Sequence, residues 1–382
     1  MGGRRSASRA ANSRAAVGLS NLPHRPNNQT APHCDPIPAS MDPISRCALP
    51  NEVLGLIAEN SSRSSLLALA LVSKRCRTEA NRWLYRSILL AVPHKMIALA
   101  HIVQNDAVRA ALVQTICLDL HPLTPEAILD LSVFTNLRHL HIKAMAHPYK
   151  LLASLPDDQL YSFQSAYCWR RFEIHLGKFL GRQRHLTNVS VDLSCKLQSQ
   201  DLPEVKVLEG PLSFILEVAP YHSNQLDEVT VLGTLDHPAS QLLLTALAGS
   251  GVKTLRVTLE DGPECFGAAL RRIGEALPSL CALILGDVAP ADLAALVLTT
   301  AYPSFPNLRN LTFCVELPEN SKAAAPSLNL ISFVDVATLR NLWANSAPRL
   351  DDIRVTTESI YWTHDNESLY PTNDRNNGES AT

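Results

Sequence analysis

Two hydrophobic rhythms divide the chain. Over residues 49 to 90 the apolar positions follow helical spacing in three short runs. Val53, Leu54 and Ile57 fall on one face of a first helix. Pro50 suits its first turn, where a missing N–H costs nothing, Glu52 favours the positive end, and Asn60 is the exit. Ser64 or Ser65 is expected to cap a second helix, Leu66 to Val72, which is apolar all round and is therefore expected to be buried. Ser73 caps a third, in which Cys76, Ala80, Trp83 and Leu84 recur at i, i+4, i+7 and i+8 as one inward stripe.

From about residue 110 the period changes. A unit of the form apolar-x-x-apolar-x-apolar recurs as Val113/Ile116/Leu118, Leu137/Leu140/Ile142, Leu186/Val189/Val191, Leu226/Val229/Val231, Val252/Leu255/Val257, Leu280/Leu283/Leu285, Leu308/Leu311/Phe313 and Leu350/Ile353/Val355. Start-to-start spacings are 24, 49, 40, 26, 28, 28 and 42, so several steps match one strand–helix repeat and the longer ones hold two repeats or an insertion. A weaker strand at Val205 to Leu208 would split the step of 40. Between the strands the spacing is helical, as in Phe172, Ile174, Leu176, Phe179 and Leu180, or Cys265, Ala268, Ala269, Ile273 and Leu277. Strand, loop, helix, loop, repeated, builds a parallel sheet with helices on one outer side. A single repeat cannot bury its own apolar face, but stacked neighbours can. The expected class is α/β.

Composition narrows the function. At 382 residues, 46% apolar and 18% charged, the chain is globular and long enough for two or three domains. A net charge of -2 lacks the basic excess that nucleic acid requires. The longest apolar run, Leu66 to Val72, is far too short to cross a bilayer, and the start of the chain has no apolar secretory core. Nine cysteines without a CxxC read as small hydrophobes in a reducing compartment. No metal or cofactor is expected: His139 and His141 alternate on one strand face, and neither HExxH nor a Cys/His quartet occurs. Gly249-Ser250-Gly251 has no phosphate-loop or nucleophile-elbow flanks and reads as a helix-exit turn. The basic third helix, with Lys74, Arg75, Arg77, Arg82 and Arg86, reads as a solvated face.

Residues 1 to 40 carry Arg4, Arg5, Arg9, Arg14 and Arg25 against the single acid Asp35, with no aromatic residue or isoleucine until Ile37, and are expected to be a disordered basic tail. Competing readings are a mitochondrial presequence, which Pro23, Pro26 and Pro32 argue against, a myristoylation match at Gly2 with Ser6, and a translation start at Met41. Residues 363 to 382, rich in Asn, Asp, Glu, Ser and Thr, are expected to be a frayed tail.

The stretches Leu49-Pro50-Asn51-Glu52-Val53-Leu54, Leu66-Leu67-Ala68-Leu69-Ala70-Leu71-Val72-Ser73-Lys74-Arg75 and Trp83-Leu84-Tyr85-Arg86-Ser87-Ile88 resemble the F-box, a three-helix module. Phe179-Leu180-Gly181-Arg182-Gln183-Arg184-His185-Leu186-Thr187 and Leu208-Glu209-Gly210-Pro211-Leu212 are similar to F-box proteins of mushroom-forming fungi, in which leucine-rich repeats follow. The chain departs from the pattern where Ser64-Ser65 and Cys76 replace a usual acid and tryptophan, and where Met145, Ser194, Thr234 and Glu316 replace the repeats' turn asparagine. The resemblance implies an F-box over 45–90 and irregular leucine-rich repeats over 91–362.

It also implies a non-catalytic substrate receptor in cytosol or nucleus, without membrane or nucleic-acid contact. The F-box would dock on a Skp-type adaptor of a cullin-RING ubiquitin ligase, and the repeats would hold a protein substrate. The docking face would comprise Leu49, Pro50, Val53, Leu54 and Ile57 of the first helix with Leu71, Val72 and Arg75 at the next junction. Substrate would meet strand positions between the inward apolar residues: Arg138, His139, His141, Asn188, Glu228, Lys253, Arg256, Arg309 and Arg354. In the alternative, the three helices only cap a repeat scaffold, covering the apolar side of its first repeat.

Overall fold

A computed structural model describes residues 49–119, 129–144, 148–166, 173–198, 201–222, 224–260, 263–289, 293, 304–315 and 336–356. The expected tails at 1–40 and 363–382 lie outside these residues. The chain from Pro50 onward forms one unit, and Leu49 ends the segment before it.

The three helices form as their spacing predicts: α1 (Asn51–Glu59), α2 (Arg63–Val72) and α3 (Lys74–Leu84). Pro50 sits at the N-cap of α1 and Asn60 at its C-cap. Ser73 caps α3, accepting from the Cys76 N–H at 3.1 Å. The cap of α2 is Ser62 rather than Ser64 or Ser65; its hydroxyl accepts from the Ser65 N–H at 3.2 Å, so the two later serines become helical.

A second correction concerns the inside of this module. Its buried cluster is only Ala58, Leu66 and Ala80, with Leu69, Ala70, Trp83 and Leu84 packed around it. α2 is therefore not a buried helix: Leu66 points in, while Leu71 is 80% and Val72 72% exposed. Three short helices enclose too little volume to cover an all-apolar helix on every side.

The repeats then build an 11-stranded sheet in strict sequence order, with every neighbouring pair parallel. Its strands are β1 (Ser87–Leu90), β2 (Thr115–Asp119), β3 (His139–Ala144), β4 (Ser162–Ser165), β5 (Asn188–Val191), β6 (Val207–Pro211), β7 (Glu228–Leu235), β8 (Thr254–Leu259), β9 (Ala282–Val288), β10 (Asn310–Val315) and β11 (Asp352–Thr356). All eight repeated units become strands, and the weaker one becomes β6. The step of 49 contains β4, so it is two repeats, whereas β10 pairs directly with β11 (Asn310↔Asp352), so the step of 42 is one repeat with an insertion.

The helices between strands include α4 (Pro93–Asn105), α5 (Ala107–Ala110), α6 (Pro148–Ala153), α7 (Glu173–Leu180), α8 (Leu212–His222), α9 (His237–Leu247), α10 (Pro263–Ala276) and α11 (Val336–Trp343). Leu176, Phe179 and Leu180 of α7, and Ala269 and Ile273 of α10, join alternate strand residues such as Ile116, Leu140, Val189, Leu255 and Leu311 in one continuous core. α9 gives way to a turn at Gly249, whose φ of 73° is a left-handed conformation that glycine adopts without strain.

Side chains also tie one turn to the next on the side where the strands begin. Just before the first apolar residue of a repeat, Asn136 donates to the Ala111 carbonyl at 2.7 Å, Asn307 to that of Pro278 at 2.9 Å, and Gln159 to that of Phe134. Gln183, fully buried, accepts from the N–H groups of Gln159 and Leu160 and donates to the Pro156 carbonyl at 2.7 Å. The turns before the strands are thus stitched by polar side chains.

Candidate functional site

The first candidate surface lies on the helices. Leu54 and Ala58 of α1 turn inward, while Val53, Leu56 and Ile57, at i, i+3 and i+4, are exposed. Leu54, at 6% exposure, thus serves the small core and leaves the expected docking face. On α2, Leu67, Leu71 and Val72 are exposed. Two side-chain bonds gather these parts. Arg75 donates through Nε to Asn51 Oδ1, bringing the α2–α3 junction beside the first turn of α1, and Arg77 Nε donates to the Ala70 carbonyl at 3.1 Å. Pro50, Val53, Ile57, Leu71, Val72 and Arg75 are all exposed, and Leu49, in the preceding segment, is exposed as well. Leu56 and Leu67 are additional exposed leucines; the i, i+3, i+4 spacing of Val53, Leu56 and Ile57 was the signal for the first of them.

An apolar side chain left in water forgoes about 2 kcal/mol relative to burial, so the exposed Val53, Leu56 and Ile57 of α1 and Leu67, Leu71 and Val72 of α2 are apolar area that a partner would stabilise by covering.

The second candidate surface is the outward face of the sheet. His139, Asn188, Glu228, Arg256 and Arg354 occupy outward strand positions, as does His141, while Arg138, Lys253 and Arg309 stand one residue or more ahead of their strands. Several are already paired. Arg256 Nε lies 3.2 Å from Glu228 Oε1, Lys253 Nζ 2.6 Å from Asp227 Oδ1, and Arg354 Nε 2.5 Å from Asp352 Oδ2. Beside the first pair, burial raises the Glu209 carboxyl above its ordinary value, although the Ser190 hydroxyl and Arg256 pull it down; Glu228 adds to the rise. At β3, burial, and after it the charges of Arg138 and Arg86, holds the His139 imidazole below its ordinary range. The residues of this face are not brought into one constellation: the pairs at β7–β8 are self-neutralising, and Arg138 and His139 lie four strands away.

Two residues that sequence reasoning passed over belong to the region of Arg138. Arg86, read as part of the basic third helix, stands instead in the turn just ahead of β1, and Tyr161 stands just ahead of β4. Tyr85/Ile88/Leu90 fits the repeat unit and was the available signal for β1.

Among the described residues no group of three or more His, Cys, Asp or Glu side chains could hold a metal ion, and no helix is long and apolar enough to cross a membrane. Cys117, Cys195 and Cys314 are buried, and burial pushes the Cys117 thiol up.

The fold is that of an α/β repeat solenoid on a continuous parallel sheet, preceded by a three-helix module. No family model and no curated protein matches the sequence. Among solved structures, one chain of a crystal structure of the Rad7 and Elc1 complex in yeast aligns with 69% of this chain and 88% of its own length, at 16% identity and a TM-score of 0.35, a likeness too slight to carry an argument.

Proposed function

We propose that α1–α3 act as an F-box that docks on a Skp-type adaptor of a cullin-RING ubiquitin ligase, and that the repeats hold a protein substrate, in cytosol or nucleus. The observation that carries this reading is the exposed apolar surface of Val53, Leu56, Ile57, Leu67, Leu71 and Val72 on helices with a core of their own. A receptor of this kind needs no catalytic residue. It raises the local concentration of substrate near a conjugating enzyme supplied by other subunits. The same observation speaks against the capping role, because a cap would merge its buried cluster with that of the first repeat. Here Leu90, Met96, Leu99 and Val103 belong to the sheet core, and Ala58, Leu66 and Ala80 do not.

The test is copurification of the full chain with a fungal Skp-type adaptor, comparing wild type with a Leu71→Asp/Val72→Asp variant. Docking predicts stoichiometric capture of the wild type, loss of capture by the variant and an unchanged Tm. A well-folded wild type that captures no adaptor, or a variant whose repeats melt, would return the capping role to first place.

A further inference from the structure

One residue per repeat stands just before each strand, and its carbonyl accepts both N–H groups that open the next rung. Arg86 accepts from Gln114 and Thr115, Gln114 from Arg138 and His139, and Arg138 from Tyr161 and Ser162. This ladder fixes Arg86, Gln114, Arg138 and Tyr161 as consecutive rungs, so the two arginine backbones stand about 9–10 Å apart, twice the strand spacing. Both arginines are exposed.

Each guanidinium rests on its own aromatic ring. That of Arg86 lies 4.7 Å from the Trp83 ring centroid while its Nε donates to Gln114 Oε1 at 3.1 Å, and that of Arg138 lies 5.3 Å from the Tyr161 centroid. Stacking holds the fork flat and leaves its other N–H groups for a partner. Among the described residues neither arginine has a carboxylate within ion-pair distance, whereas farther along the same edge Lys253 is closed off by Asp227 at 2.6 Å. Both charges act on His139, whose imidazole they help to hold below its ordinary range.

We propose that this edge, with Arg86 and Arg138 two rungs apart, is a docking strip for an acidic segment of a partner polypeptide that presents two carboxylates. Two anions are called for because Trp83 and Tyr161 keep the forks apart, and about 9–10 Å is the span from residue i to i+3 of a peptide in the polyproline II conformation, whose three residues per turn put both side chains on one side. The strip runs from the end of α3 onto the first repeats and stands whether or not the helices dock an adaptor.

The test is fluorescence anisotropy of the full chain with a labelled Gly/Ser peptide carrying aspartate at every third position. Arg86→Gln and Arg138→Gln should each weaken binding about fivefold to tenfold, as loss of a charge-assisted hydrogen bond would, and the double variant should abolish it. Lys253→Gln should leave binding unchanged, and an asparagine version of the peptide should not bind. The reversed pair, Arg86→Glu/Arg138→Glu, should lose the aspartate peptide and gain its lysine counterpart, an outcome that a misfolded protein could not give. Equal binding of the asparagine peptide, equal loss in Lys253→Gln, or tighter binding of a uridine oligonucleotide than of the aspartate peptide would overturn the proposal.

Discussion

The three helices and the repeats draw on the same leucine- and valine-rich vocabulary and dispose of it in opposite ways. In the repeats, Ile116, Leu140, Leu208, Leu255 and Leu311 are wholly buried, because each rung lays its apolar face on the next and the helices close the remaining side. In the helices only Leu54, Ala58, Leu66 and Ala80 are buried, while Leu71 and Val72, at the end of the longest apolar run in the chain, face water. Stacking gives a repeat two neighbours; a three-helix module has only itself. Surface-to-volume scaling therefore leaves the module with apolar area that its own fold cannot cover.

The sharpest way to break this comparison is to truncate one apolar residue from each region. Phe163 is fully buried on β4, its ring centroid 5.0 Å from that of Phe179 in an edge-on contact. Phe163→Ala should cost about 3–5 kcal/mol of unfolding free energy by urea titration, through lost transfer energy and the cavity left behind. Leu71→Ala should cost less than about 0.5 kcal/mol, as a surface truncation. Comparable losses would mean that Leu71 is covered within the folded chain, and the docking surface would have to be abandoned.

Within the repeats the contrast is between apolar stacking and the polar stitching of the turns. Gln183 is buried and satisfies two N–H groups and one carbonyl of the preceding turn at once. Gln183→Ala removes all three partners, and leaving buried amides unpaired should cost about 2–3 kcal/mol. Hydrogen exchange should localise the loss to the Gln159 and Leu160 amides. Global destabilisation without faster exchange at those two sites would show that the stitching is incidental to the fold.

Much of this was legible in the sequence. The eight repeated units were visible because a buried strand face needs apolar residues at alternate positions, and a stacked array repeats that need. What escaped notice escaped for local reasons. β4 carries Leu160/Phe163/Ser165, with a buried serine where the third apolar residue belongs, whereas β6, with Val205/Leu208/Gly210, was legible as a weaker strand. β1 was hidden because Tyr85, Ile88 and Leu90 follow a helical stripe without a break. Of the docking face, the residues could be read from helical spacing, but not which of Val53 and Leu54 turned outward, since that depends on where α3 lies. The pairing of Arg256 with Glu228, and its absence among the described residues at Arg86 and Arg138, depends on register between strands, which no single repeat encodes.

Gly210 offers a milder probe of the same point. A Cβ there would lie 2.7 Å from Phe214 Cδ1 and 3.0 Å from the Val191 carbonyl oxygen, so the third apolar position of this rung is filled by a ring from α8. Gly210→Ala should lower stability by about 1–3 kcal/mol, as overpacking does. An unchanged or raised Tm would mean that Phe214 swings aside freely and that the core at β6 is looser than at its neighbours.

The smallest effect separates a buried charge from the exposed ones. Burial raises the Glu209 carboxyl above its ordinary value of 4.5, so between the two values the folded chain holds a proton that the unfolded chain has released. Stability from this group is accordingly full below 4.5 and declines as pH rises through the raised folded value. His139 and His222 act in the other direction: burial lowers both below 6.5, so their contribution is full above that value and is lost as pH falls through the folded value. Subtracting the stability curve of Glu209→Gln from that of the wild type cancels the histidines. The variant should match the wild type near pH 4 and exceed it near pH 7, by less than any of the losses above, because Arg256 keeps Glu228 at 3.2 Å once the second carboxylate is gone. A variant less stable at pH 7 would mean that the ionised Glu209 helps to hold Arg256 in place, and that the outward face at β6–β8 is a network of three charges rather than a pair with a neighbour.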